Sequence, residues 1–208
     1  YADTVQFAAE ILLEYADGTR ETVATDASWR CTDGEIRRSD LYMGEGIDHR
    51  KSLGDFSAPI YDDRDWATAQ VDDFKFSKNI YLTRIDLPPI RVQHTFAATL
   101  VAADGAARIY DVGQNIAGVL RVVLRGAAGA YAVVRHAEVL RDGQLYTENL
   151  RKAEATDTFI LRGGDAEEFR PLFTSHGFRY ASVELHGDVT LCDLRAEAMY
   201  TDLPTSGT

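Results

Sequence analysis

The chain has 208 residues, 45% hydrophobic and 26% charged, a balance that fits a folded protein with a sizeable core and excludes disordered and fibrous classes. A formal charge of -11 argues against a general binder of phosphate backbones and against anionic membranes, and leaves a neutral ligand such as a sugar allowed. No apolar run approaches the ~18 residues of a spanning helix, and the first residues lack the basic start of a signal peptide, so the chain reads as soluble with its compartment unassigned.

In chain order, Val5, Phe7, Ala9, Ile11, Leu13 and Tyr15 alternate with polar Gln6, Glu10 and Glu14, the period of a half-buried strand. Ala16-Asp17-Gly18-Thr19 supplies a hairpin turn, and Glu21 to Thr25 returns antiparallel to the first strand. Residues 26 to 80 are less regular, with turn chemistry at Asp33-Gly34 and an acidic stretch from Tyr61 to Trp66. Pro88-Pro89 cannot donate to a ladder, which places a boundary near residues 78 to 90. Strand-like runs follow at Arg91 to Leu100, Arg108 to Val112, Val119 to Leu124, Tyr131 to Val139, Thr156 to Leu161 and Phe178 to Leu185. Turns such as Asp104-Gly105, Asp142-Gly143 and Gly187-Asp188 separate them.

Short strands punctuated in this way predict an all-β fold, antiparallel β-sandwich or jelly-roll domains with little helix. The best helix candidate is Leu145 to Ala155. The predicted division is an incomplete first domain at 1–80 and a complete second domain at 81–208 with a C-terminal linker. The chain opens without Met and ends in the linker-like run Thr201 to Thr208, as a piece of a longer protein would. A sandwich cut in two exposes strand edges, through which a second copy could pair to form a homodimer.

Two groups of motifs carry a resemblance. Asp111-Val112-Gly113-Gln114-Asn115-Ile116-Ala117-Gly118 is followed by Glu138-Val139-Leu140, Leu145 to Arg151, Ala155-Thr156-Asp157 and His176-Gly177-Phe178-Arg179-Tyr180. This series resembles the β-sandwich domain that precedes the catalytic barrel in bacterial α-L-rhamnosidases, glycoside hydrolases of family 78. Asp26 to Trp29, Ser39 to Tyr42 with Gly44-Glu45, and Asp62-Asp63 before Trp66 are similar to the second half of the jelly roll upstream of it. The resemblance implies an inverting hydrolase of terminal α-L-rhamnose whose acid and base lie on a following α-helical barrel. No residue of this chain is then catalytic, and its partner is that barrel. The expected role is an accessory scaffold, with an autonomous carbohydrate-binding module for rhamnosyl sugars as the alternative.

The residues themselves point the same way. There is no G-x-S-x-G elbow, H-E-x-x-H motif, P-loop or Rossmann glycine pattern. The five histidines lack metal-ligand spacing, and Cys31 and Cys192 read as ordinary thiols. Gly113 and Gly118 are read as bracketing a turn on which Gln114 and Asn115 offer amide groups to a sugar, to the turn itself or to the barrel. Asp111 begins that stretch. Glu138, Asn149, Arg151 and Asp157 would form one connected polar patch suited to an interdomain ion-pair network. His176 opens a strand with Phe178 and Tyr180 on the core face and Arg179 on the other. Trp29 and Trp66 could stack on a sugar ring, with buried packing as the competing and preferred reading. Some relatives bind rhamnose through the upstream jelly roll with help from calcium. Asp40, Glu45, Asp62 and Asp63 are oxygen donors for such an ion, with capping of a short turn leading to Trp66 as the alternative for Asp62 and Asp63.

Overall fold

The computed structural model describes residues 6–71 and 86–204; Val5, the boundary region before residue 86 and the tail at 205–208 lie outside the described residues. In chain order the strands are β1 (Glu10–Glu14), β2 (Arg20–Ala24), β3 (Arg30–Cys31), β4 (Ile36–Asp40), β5 (Gly44–Asp48) and β6 (Ala67–Thr68). Then come β7 (Ile90–Ala97), β8 (Thr99–Asp104), β9 (Ala107–Gly126), β10 (Tyr131–Ala137), β11 (Val139–Arg141), β12 (Gln144–Tyr146), β13 (Thr156–Ile160), β14 (Glu167–Phe169), β15 (His176–His186) and β16 (Val189–Thr201). Helix is confined to the short 3-10 turns His49–Lys51 and Glu148–Leu150 among the described residues, so the chain is all-β as its turn spacing predicts. Two units result, one from Tyr1–Thr32 and Asp55–Arg84, the other from Asp33–Gly54 and Ile85–Thr208.

In the first unit β1 and β2 form the predicted hairpin, with Leu12 opposite Thr22. Gly18 takes φ 84 at its turn, and the Asp17 carboxylate accepts from the Thr19 N–H at 2.9 Å. The half-buried face expected from the alternation is not formed. Every residue of both strands is exposed, because the hairpin is a two-stranded sheet with no covering layer among the described residues. The small ladder β3–β6 completes the paired strands of this unit.

The second unit is built on one hydrogen-bonded path, β4-β5-β13-β10-β15-β9-β16-β7, with β8 and β14 also paired to β9. The 20-residue strand β9 serves two layers. Its first residues lie between β8 and β15, whereas Val119 to Gly126 pair with β16 and residues 122–124 also with β14. Inward side chains alternate, as a half-buried strand requires. Leu120, Val122 and Leu124 of β9 and Leu194, Ala196 and Ala198 of β16 share one core with Val134, Phe159, Phe178 and Val183 of the other layer.

Two sequence expectations change here, and one strand pairing crosses the predicted division. Residues 33–54, placed in the first domain by the boundary near 80, supply β4 and β5 to the second unit, where β5 runs parallel to β13. The stretch from Gly113 to Gly118 is not a turn between strands but part of the continuous β9. Leu145 to Ala155 is not a helix. Residues 144–146 pair back on 139–141 over Asp142-Gly143, whose φ values of 53 and 79 suit a type I′ hairpin, and positive φ at Arg151 and Ala155 prevents helix beyond it.

Gly44 is the position where the parallel pairing depends on a glycine. Its φ is 104, and a Cβ built there would sit on the Thr156 carbonyl oxygen. The absent side chain lets β5 approach β13 closely, and this approach carries Glu45 into the interior.

Candidate functional site

The polar residues read from the motifs separate into a surface network and a buried cluster. On the surface, the Asp111 carboxylate accepts two bonds from the Arg179 guanidinium, both at 2.9 Å, and a third from the Gly113 N–H at 2.7 Å. Hydrogen bonding from Arg179 outweighs partial burial and holds the Asp111 carboxyl below its ordinary range. Opposite Arg179 the register of β9 and β15 jumps, with Phe178 facing Ile116 and Tyr180 facing Asp111. Residues 112–115 therefore bulge, and Gln114 and Asn115 stand exposed on a strand instead of on a loop.

Glu138 ties this bulge to the short 3-10 turn. Its Oε1 accepts from Asn115 Nδ2 at 3.0 Å, and its Oε2 accepts from Asn149 Nδ2 at 3.3 Å. Gln114 and Arg151 are exposed and make no side-chain hydrogen bond or ion pair among the described residues. The proposed single patch is thus corrected in two members, since Arg151 is unpaired and Asp157 belongs to the interior. His176 is interior as well, so neither Asp157 nor His176 faces a ligand or a neighbouring domain.

The interior cluster joins His136, Asp157 and His176, on the core-facing positions of β10, β13 and β15. His176 Nε2 donates to Asp157 Oδ1 at 3.3 Å, and the Glu45 N–H donates to the same oxygen at 2.8 Å. His136 Nδ1 donates to the Ala155 carbonyl at 2.9 Å, which turns its Nε2 toward Asp157 Oδ2 at 3.8 Å. Neither of those two atoms has a hydrogen-bond partner among the described residues. The imidazoles of His136 and His176 stack with centroids 4.3 Å apart.

Burial, reinforced by His176, pushes the His136 pKa down to about 4. Burial alone would raise the Asp157 carboxyl, but the bond from His176, the two imidazoles and the Glu45 N–H outweigh it and hold it low. The three side chains can bring ligand atoms within 4.8 Å of one another. Two imidazole nitrogens and one carboxylate in a buried cluster do not match the all-oxygen shell that calcium takes. His136 was not singled out in the sequence as a site residue. The signal was its parity with Ala132 and Val134, which assigns it to the core face of β10.

The four carboxylates considered for calcium are engaged otherwise. Asp40 accepts from the N–H groups of Tyr42 and Met43 at 2.8 and 3.0 Å. Glu45 is fully buried and accepts from the N–H groups of Leu172 and Phe173 at 2.8 and 2.9 Å and from the Ser39 hydroxyl at 3.1 Å. In the first unit Asp62 makes a two-pronged pair with Arg64, and Asp63 lies 3.9 Å from Arg30. Trp29 and Trp66 are half-buried in the first unit instead of fully packed. Trp29 Nε1 donates to the Ala24 carbonyl at 3.1 Å, and Trp66 meets Tyr61 edge-on at 5.6 Å.

Two surface depressions of about 270 and 250 Å³ meet near Tyr110 and Leu191, and neither is lined by any of the candidate residues. No helix among the described residues is long and apolar enough to cross a membrane.

Comparison with known proteins assigns both regions. Residues 1–94 match the α-L-rhamnosidase N-terminal domain, and residues 102–200 match the bacterial α-L-rhamnosidase concanavalin-like domain. The chain belongs to the bacterial α-L-rhamnosidase family, as part of its N-terminal accessory region. An α-L-rhamnosidase of Streptomyces avermitilis is 36% identical over 207 residues, covering 98% of this chain and 20% of the relative. One from Alteromonas sp. (strain LOR) is 32% identical, covering 86% of this chain and 19% of the relative. The solved S. avermitilis enzyme, complexed with L-rhamnose, aligns with a TM-score of 0.85 at 36% identity over 95% of this chain and 19% of its own. The native Aspergillus terreus α-L-rhamnosidase aligns with a TM-score of 0.83 at 29% identity over 94% of this chain and 23% of its own. The chain therefore spans about one fifth of the length of these α-L-rhamnosidases.

Proposed function

We propose that this chain is a non-catalytic accessory segment of an α-L-rhamnosidase acting on terminal α-L-rhamnose, and that it scaffolds the catalytic barrel of its parent chain. The observation that carries the proposal is the coverage, since nearly all of this chain corresponds to about one fifth of longer single-chain relatives. The charge states agree with it. Every described carboxyl whose pKa departs from its ordinary value departs downward, through hydrogen bonds to hydroxyls, backbone N–H groups, arginines or histidines. A glycosidase acid needs the opposite, a carboxyl held protonated near neutrality.

In this reading the Asp111–Arg179 pair and the Asn115–Glu138–Asn149 bridge stiffen the β9 bulge as part of a firm platform. The test that separates the scaffold from a carbohydrate-binding module is calorimetric titration of the chain with L-rhamnose, with and without calcium. The scaffold reading expects no binding heat in either condition. Saturable heat in the presence of calcium would assign the chain to sugar binding instead.

A further inference from the structure

The buried residues His136, Asp157 and His176 come from three hydrogen-bonded neighbours, β10, β13 and β15. Asp157 lies opposite Val134 in one ladder and His136 opposite Ala181 in the other, so strand pairing on both sides of β10 fixes the backbones beneath the cluster. Polar groups in a core normally have complete hydrogen bonds. Two here do not, and both are acceptors. The Ala155 carbonyl can only accept, so it takes the His136 proton on Nδ1 and leaves a lone pair on Nε2. That lone pair faces Asp157 Oδ2 across 3.8 Å, too far for an N–H bond, and the oxygen has no donor among the described residues. Two acceptors aimed at each other repel unless a cation or a donor lies between them.

The outer partners have the form that metal-binding side chains take. His136 gives its other ring N–H to a backbone carbonyl, and the Glu45 N–H at 2.8 Å engages Asp157 Oδ1 while Oδ2 stays free. With His176 Nε2 added, three ligand atoms lie within 4.8 Å of one another. Bonds of roughly 2.0–2.2 Å set zinc ligands about 3.4 Å apart, so a small closure brings the set onto one ion. We infer that His136 Nε2, Asp157 Oδ2 and His176 Nε2 form a buried site for one divalent transition-metal ion of the zinc type, for which imidazole and carboxylate are suited ligands. His176 Nε2 donates to Asp157 Oδ1 in the metal-free chain; on binding, its proton moves to Nδ1 and Nε2 turns to the ion. The fourth position falls to water. Burial keeps that water from any substrate, so the ion serves to clamp β10, β13 and β15 together.

The test strips the 208-residue chain with a chelator and titrates it with zinc chloride alone. One ion per chain should bind and raise the thermal midpoint by several degrees. His136→Gln should weaken binding by about a hundredfold or more, whereas His186→Gln, at a partly exposed histidine 3.2 Å from Glu184, should bind as wild type does. Because a core substitution can unfold the unit, cobalt(II) is titrated into the wild-type chain as well. Its paramagnetism should broaden the NMR signals of Phe178, whose ring centroid lies 4.8 Å from that of His136, before those of Tyr131, which stacks on His186. Failure to bind any ion would leave a bridging water as the donor to the two acceptors and would overturn the inference. Binding that survives His136→Gln in a folded chain, or broadening centred on Tyr131, would identify an adventitious surface ion and equally overturn it.

Discussion

Replacing Glu45 by alanine is expected to lower the stability of the second unit by about 4 kcal/mol, because two buried N–H groups lose their acceptor at roughly 1–3 kcal/mol each and a cavity is left. The wild-type carboxylate receives three hydrogen bonds, from Leu172, Phe173 and Ser39, with no exposure to water. Truncation leaves two backbone N–H groups without acceptors and opens a cavity beside β13, so both the polar and the packing contributions are lost together. Glu45→Gln keeps the shape but turns one acceptor into a donor facing another donor, and about half of the effect, roughly 2 kcal/mol, is expected. Urea unfolding should be followed by far-ultraviolet circular dichroism. Tryptophan emission is the wrong probe, because Trp29 and Trp66 both belong to the first unit. Equal midpoints for wild type and Glu45→Ala would show that the loop after β14 does not depend on this carboxylate.

Lowering the pH from 6.5 to 4 is expected to remove about 3 kcal/mol of stability through His136 alone. In the folded state burial keeps this imidazole neutral down to about pH 4, whereas in the unfolded chain it takes up a proton near its ordinary 6.5. Between those values the unfolded state binds more protons, so stability falls as the pH falls and levels off below the folded pKa. The carboxyls held low, Asp111, Asp157 and Glu167 among them, act in a lower window. Their contribution is present above the ordinary carboxyl range and is lost as the pH drops below it. The two effects therefore separate. His136→Gln should be less stable than wild type at pH 7 but should lose less additional stability between pH 6.5 and 4. Parallel stability curves for the two proteins would show that His136 is not buried as a neutral ring.

The sequence made the local grammar readable and left the long-range pairings hidden. The β1–β2 hairpin, the Asp142-Gly143 turn and the all-β class follow from periods and turn residues that act within about ten positions. The parallel pairing of β5 with β13 joins Gly46 to Thr158, and no local period announces a partner so far along the chain. That pairing moves residues 33–54 into the second unit and places Glu45 under the loop after β14. The β9 bulge was hidden for a related reason. Its glycines carry turn chemistry, but β15 pairs with β9 both before the bulge, at 107–111, and after it, at 116–118, so the chain continues as one strand.

Legibility of the site divides by face. Glu138 and Asn149, read as members of one patch, share a surface bridge with Asn115, whereas the Asp111–Arg179 pair was not read from the motifs. Asp157 was grouped with them by motif, although its parity with Phe159 assigns it to the core. His176 shares that error with Phe178 as its guide. Parity is a physical constraint on where a strand side chain can point, and at these positions it outranks the polar character of the residue.

The measurement that tests the proposed role most directly is the hydrolysis of an aryl α-L-rhamnoside by the purified 208-residue chain. An accessory scaffold predicts no release of the aglycone above the buffer rate at any enzyme concentration used. Turnover that scales with protein and is abolished by a single carboxylate substitution would contradict it, because the chain would then carry its own acid or base.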